Sequence, residues 1–344
     1  PLFYDHIREA QNQLATVSKV LLMTVLTVLL VTSVRKLKYL LLVTSLSFGI
    51  LGIKGALFGL RTGGEFSVYG PPDSFVADNN DLALALNISL PMLFYLARRE
   101  ETRWLRNILW AAFFCSVLSV LLTYSRGGLL GLAVVMSMIA VKARKKALAI
   151  TLLIICVFLV LTFAPGPWLE RMGIFLTGNL DESAQGRLNA WHFAWVLATN
   201  YPLTGGGFET FTPGLFERFT PDLKFAGPHS IYFQVLGEQG FVGLGLFLTL
   251  LAFCWFTLRK LRRSAQRLGI ASWVMTYTDI LQASLLAYLV SGAFLPRAYF
   301  DLFYQLVASV IIVKILYRRE VAAVAARMRE PEPALVDVGE LVVS

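Results

Sequence analysis

About nine stretches of this 344-residue chain read as membrane spans by hydropathy, several of them shorter than the roughly 20 residues that cross a bilayer's hydrocarbon core. They lie at 18–34, 39–60, 81–97, 107–125, 128–141, 147–164, 230–258, 272–295 and 302–317. Within each, apolar residues run continuously rather than alternating, which predicts membrane-spanning helices and argues against a β-barrel. Only 15% of residues are charged, against roughly a quarter in a soluble domain. The chain reads as an all-α polytopic membrane protein, a single membrane domain over 1–344.

Lys and Arg fall in clusters between the runs: Arg35, Lys36 and Lys38; Arg98, Arg99, Arg103 and Arg106; Lys142, Arg144, Lys145 and Lys146; Arg259, Lys260, Arg262, Arg263 and Arg267; Arg318 and Arg319. With about nine spans every cluster falls on one face, which the positive-inside rule makes cytoplasmic. An error of one span would scatter them. The net charge of +9 is therefore a topological signal, and nucleic acid is not expected as a partner. Cys115, Cys156 and Cys254 all lie inside apolar runs and read as small buried hydrophobes, neither disulfides nor metal ligands.

The opposite face receives loops at 61–80 and 296–301 and a long segment at 165–229. The long segment carries L-N-A-W-H-F-A-W-V-L-A at helical spacing, which predicts one or two amphipathic helices on or near the membrane surface. Residues 318–344, with R-E-P-E-P, read as a cytoplasmic tail. The chain begins at Pro1 without a signal-peptide pattern, and further N-terminal spans are expected to precede it.

Charged residues that face outward against this bias are the candidates for chemistry. His229 follows Gly227-Pro228 where a polar segment enters an apolar run; it is either a functional imidazole or a capping, interfacial one. Arg126, in T-Y-S-R-G-G, stands between two runs with almost no loop; it either binds an anion or snorkels to lipid phosphates. Arg187 opens the amphipathic stretch and either solvates that helix or joins the site. Arg297, at the outer end of one span, and Lys54, within the outer half of another, either snorkel or reach an anion. His192, between Trp191 and Phe193, reads as interfacial. Asp73, Asp78 and Asp81 lack a His or Glu companion and read as helix caps and first-turn charges rather than metal ligands. The turn P-L-T-G-G-G-F-E lacks the Lys-Ser/Thr of a nucleotide loop. No metal and no cofactor is expected.

Arginines grip phosphate oxygens, and a neutral imidazole takes a proton from a hydroxyl near pH 7. The ensemble suits transfer of a sugar from a lipid diphosphate to a hydroxyl.

The segment G-P-H-S-I-Y-F-Q-V-L-G-E-Q-G-F-V-G-L resembles the O-antigen ligase pattern of His, then Asn/Ser/Gln, nine residues, Gly, two residues and Gly. Y-S-R-G-G-L and G-R-L-N-A-W…N-Y-P-L-T-G-G-G-F are similar to the same O-antigen ligase/polymerase superfamily. G-G-E-F-S-V-Y-G-P-P-D-S-F-V-A-D-N-N-D-L-A-L-A-L and S-G-A-F-L-P-R-A-Y-F look closest to the O-glycosylation ligases associated with exosortase A, and the likeness spans about residues 50–310. The resemblance implies a GT-C-like membrane glycosyltransferase with a large periplasmic loop in the bacterial inner membrane. It implies an undecaprenyl-diphosphate-linked glycan donor, a hydroxyl-bearing acceptor on protein, lipid or glycan, and metal-independent, inverting transfer on the periplasmic side. The family's essential histidine maps onto His229 and its arginines onto Arg126 and Arg187. A polymerase of the same superfamily remains the alternative, as does a lipid-linked sugar transporter or flippase that would use Asp279 and Gln282 within the membrane.

Overall fold

The computed structural model describes residues 7–142 and 182–327, and every regular element among them is a helix. In chain order these are α1 (Ile7–Leu30), α2 (Val34–Arg61), α3 (Asn79–Arg99), α4 (Arg103–Leu122), α5 (Arg126–Lys142), α6 (Glu182–Asn200), α7 (Pro213–Phe219), α8 (Ile231–Leu268), α9 (Trp273–Gly292) and α10 (Asp301–Arg327). Five are long and apolar enough to cross a membrane by length and composition: α1, α2, α3, α4 and α8. The spans expected at 128–141, 272–295 and 302–317 coincide with α5, α9 and α10, which fall short of that standard. At 17 residues α5 is about 25 Å long at 1.5 Å per residue, less than a hydrocarbon core of about 30 Å. The span expected at 147–164 lies outside the described residues.

The bundle is built around α3, which is buried from Asp81 to Met92 without a break and packs on α2, α4, α5 and α9. Its surface is small where neighbours come closest. Ser284 on α9 donates to the carbonyl of Ile88 at 2.7 Å, and Asn87 donates to the carbonyl of Gly128 on α5 at 2.8 Å. Such bonds satisfy polar groups that lipid cannot. Helix α2 meets α4 through Gly49, Gly52, Gly55 and Gly59, opposite Ala112, Ser116, Ser119 and Leu122, where an added Cβ would lie 2.9 Å or less from the facing side chain. By contrast α1 packs chiefly on α10 and leaves Leu21, Leu22, Met23, Leu29 and Leu30 exposed, as a lipid-facing helix does.

Among the described residues, the basic clusters gather at one end of the bundle. There Lys38 pairs with Glu100 at 2.9 Å, Trp273 donates to Glu320 at 2.7 Å, and Tyr317 donates to Ser264 at 2.8 Å. Lysine's ammonium beside Glu100 holds that carboxyl below the usual range, against the opposing effect of desolvation. Loop 61–78, the α4–α5 turn, α6, α7 and the α9–α10 connection all sit at the opposite end.

Helix α6 realises the spacing of the tryptophan-rich stretch. Ala190, Phe193, Ala194, Leu197 and Ala198 form one fully buried stripe against α7 and the start of α8, so α6 has a protein partner along that face. Phe193 stacks on Phe216 of α7 with ring centroids 4.1 Å apart. Trp195 and Leu188 remain exposed on its other side.

Candidate active site

Two glycine-bearing segments interlock to set the geometry of this end. Helix α8 is kinked at Gly240, whose φ of +65° and ψ of −166° are open to glycine and strained for any other residue. The turn after α6 fills the kink. Gly206 N donates to the carbonyl of Gly237 at 2.8 Å, Gly207 N to that of Glu238 at 2.9 Å, and Phe241 N to that of Pro202 at 2.9 Å. A Cβ on Gly205 would lie 2.5 Å from the Gly237 carbonyl oxygen, and one on Gly240 2.6 Å from that of Pro202. The turn P-L-T-G-G-G-F and the glycines of the histidine segment are thus the two halves of one backbone contact.

His229 sits just before α8, one residue outside the N-cap Ser230, with φ at +39°. A non-glycine residue in the left-handed region is strained, and such strain concentrates at functional positions. The surroundings hold it there. Trp191 of α6 donates from Nε1 to the Pro228 carbonyl at 3.1 Å and stacks on Phe233 with centroids 4.8 Å apart. Tyr232 donates to the Leu289 carbonyl of α9 at 3.1 Å. The imidazole folds back over Gly227, where a Cβ would lie 3.8 Å from Nε2. The side chain is reachable from solvent, yet its pKa falls below the usual histidine value. Desolvation by the surrounding walls is the main cause; the positive charge of Arg187 adds to it and the negative charge of Asp78 opposes it. The net shift favours the neutral ring, the form that a proton acceptor needs.

Asp78 links this histidine to a second charged pair. Its carboxylate caps α3 by accepting from Asn80 N at 2.8 Å, and its charge also reaches Arg297. Arg297 grips Asp81 with two nitrogens, Nε to Oδ1 at 2.6 Å and Nη2 to Oδ2. Asp81 is 4% exposed, so the first-turn charge of α3 is a buried partner as well as a complement to the helix dipole. Two of the nitrogens with which Arg297 would meet an anion are engaged by this carboxylate.

Arg126 is the first residue of α5 at the same end. The turn before it is tied down by Asn79 Nδ2 to the Thr123 carbonyl at 2.8 Å, by Val68 N to the Leu122 carbonyl at 2.9 Å, and by the Tyr124 hydroxyl to the Gly64 carbonyl. Ser125 caps α5, accepting from Gly128 N at 3.0 Å, and Gly127 lies against Phe294 just ahead of Arg297. Lys54 stands apart. It lines a cavity of about 390 Å³ between α2 and loop 61–78, together with Tyr69, Pro71 and Leu82.

A buried polar layer below the histidine escaped the sequence reading. Glu238 is 2% exposed and accepts from the Tyr299 hydroxyl at 2.7 Å, while Gln234 accepts from Ala298 N at 3.1 Å. Their spacing at i, i+4 on the first turns of α8 was the available signal. Above them Glu209, in the turn after α6, has φ at +57° and a pKa raised by desolvation and, secondarily, by the charge of Glu9. At the basic end, Asp279 is bound by Lys142 and Arg262, and Gln282 faces Lys142.

Compared with known proteins, the chain matches no curated protein. Residues 111–248, which hold Arg126, Arg187, the glycine turn, His229 and Glu238, match the family model described as O-antigen ligase.

Proposed function

We propose that this protein is a membrane glycosyltransferase of the O-antigen ligase kind, moving a glycan from an undecaprenyl-diphosphate donor to a hydroxyl acceptor. The acceptor hydroxyl attacks the anomeric carbon as its proton passes to His229. The bond from that carbon to the diphosphate oxygen breaks, and configuration inverts. Negative charge that develops on the leaving diphosphate is met by Arg187 and Arg126, whose planar forks suit phosphate oxygens. Lys54 and Arg297 add positive charge at the flanks, Arg297 from within its pair with Asp81. The reaction takes place on the periplasmic side of a bacterial inner membrane, opposite the basic clusters. Within the superfamily, an O-glycosylation ligase of the exosortase-associated type is the reading we adopt.

The observation that carries this proposal is the backbone-strained His229, within electrostatic reach of Arg187 and inside the segment that matches the family model. Asp279 and Gln282, on which a transporter reading would draw, lie at the basic end, where Lys142 and Arg262 bind Asp279 and Lys142 faces Gln282. Proteoliposomes holding the purified chain, given an undecaprenyl-diphosphate glycan and a hydroxyl acceptor, should release undecaprenyl diphosphate in step with glycosylated product. Movement of intact donor between leaflets without release would instead mark a transporter.

A further inference from the structure

The basic end contains a charged recess that the proposed reaction does not use. Lys142 closes α5, Arg262 lies on the extension of α8, and Asp279 is in the second turn of α9. Lys142 Nζ donates to Asp279 Oδ1 at 2.8 Å and lies 3.4 Å from Gln282 Oε1. Arg262 Nη1 donates to the same Oδ1. Their side chains are only 20%, 27% and 14% exposed for Lys142, Arg262 and Asp279. Two cations therefore share one carboxylate oxygen, and the recess keeps one positive charge in excess where water is scarce.

A second observation points the same way. Tyr95 of α3 is 8% exposed, and its hydroxyl has no hydrogen-bond partner among the described residues. It lies within electrostatic reach of Arg262 and of Arg98, which covers the ring of Phe94 at 5.6 Å. A buried hydroxyl without a partner is costly, as is a half-buried positive charge in excess of its counterion. Both are relieved by one group with negative charge and several acceptor oxygens.

We propose that Lys142, Arg262 and Tyr95 form a binding site for a phosphate group at the basic end of the bundle. Phosphate matches the donors: a guanidinium fork, an ammonium and a hydroxyl meet oxygens that accept from all three. The group comes either from the headgroup of an anionic phospholipid or from free phosphate. Because the basic clusters sit at the membrane boundary, a headgroup has the shorter path.

The test uses the full chain in a neutral maltoside detergent. Short-chain phosphatidylglycerol, the matching diacylglycerol and inorganic phosphate are each titrated in and read by native mass spectrometry and thermal shift. The wild type should bind phosphatidylglycerol and not diacylglycerol. Arg262→Gln leaves Lys142 and Asp279 as a neutral pair, so the fold is kept while affinity falls about fivefold, the effect of one basic side chain facing an anionic lipid. Asp279→Asn should tighten binding by a similar factor, Arg262→Lys should largely restore it, and Tyr95→Phe should weaken it. A simple structural pin would show the stability losses without these opposed changes in affinity. Binding of phosphatidylglycerol alone assigns the site to a headgroup, and binding of both assigns it to phosphate from either source. Equal binding of diacylglycerol and phosphatidylglycerol, or equal affinity across the variants, would overturn the proposal.

Discussion

At the scale of single residues, the charges around His229 have opposite and measurable effects. Asp78 raises the imidazole pKa and Arg187 lowers it. The base works in its neutral form, so activity falls as pH drops through that pKa. Asp78→Asn, which retains an N-cap side chain, should move the acidic limb of the pH–rate profile to lower pH. Arg187→Gln should move it to higher pH while also weakening donor binding. Movement of the acidic limb in the same direction in both variants would contradict the arrangement. Arginine identity gives a second test: Arg126→Lys and Arg187→Lys keep charge but lose the fork, and transfer should fall by about tenfold or more, the scale of one charged contact to a phosphate at roughly 1.5–3 kcal/mol. Arg218→Lys should be nearly silent, because Arg218 lies exposed on α7, with its guanidinium over the ring of its neighbour Phe219 at 5.5 Å. Some of this was legible in the sequence: His229, Arg126 and Arg187 stood out because each is polar at the edge of an apolar run. The pairing of Arg297 with Asp81, across 216 positions, was not. Nor was that of Glu238 with Tyr299. Local pattern marks a residue as unusual, whereas its partner is chosen by how helices pack.

At the scale of elements, the contact between the kink of α8 and the turn after α6 carries the local architecture. Gly205→Ala and Gly240→Ala each force a Cβ onto a carbonyl and a side chain into a strained conformation. Each should destabilise the protein by about 1–3 kcal/mol, seen as a lower unfolding temperature, with transfer lost even at saturating donor. The Asp81–Arg297 bridge joins α3 to the α9–α10 connection. Asp81→Asn should cost less than the roughly 3–5 kcal/mol of a fully buried pair, because the Arg297 side chain is 36% exposed and solvent screens it. Helix positions were readable because long continuous apolar runs with basic flanks are local signals of a spanning helix. Eight of the expected spans overlap α1, α2, α3, α4, α5, α8, α9 and α10. What α6 packs against was not readable: its apolar stripe is equally consistent with a membrane surface and with a protein partner, and only the fold supplies Phe216 and the start of α8.

At the scale of the whole molecule, one end collects basic clusters and the other collects His229, Asp78, Arg187 and the Asp81–Arg297 pair. Cysteines introduced at the exposed positions 72 and 217 should therefore react with an impermeant maleimide in intact cells, and one at the exposed position 263 should not; the reverse pattern would place the histidine on the wrong side for the proposed donor. Because Asp78 caps α3 and Asp81 holds Arg297, the diphosphate's charge is assigned to cationic side chains, and transfer should persist in EDTA. Loss of transfer that Mg²⁺ restores would return those carboxylates to consideration as ligands. The most direct measurement is the turnover of purified His229→Ala beside the wild type in proteoliposomes, with an undecaprenyl-diphosphate glycan and a hydroxyl acceptor at saturating concentration. A general base contributes to the transition state, so turnover should fall by about 10²–10⁴-fold while donor affinity, which rests on the arginines, stays near the wild-type value. Near-wild-type turnover of the variant would contradict the account, leaving His229 as a strained residue ahead of α8 with no part in the chemistry.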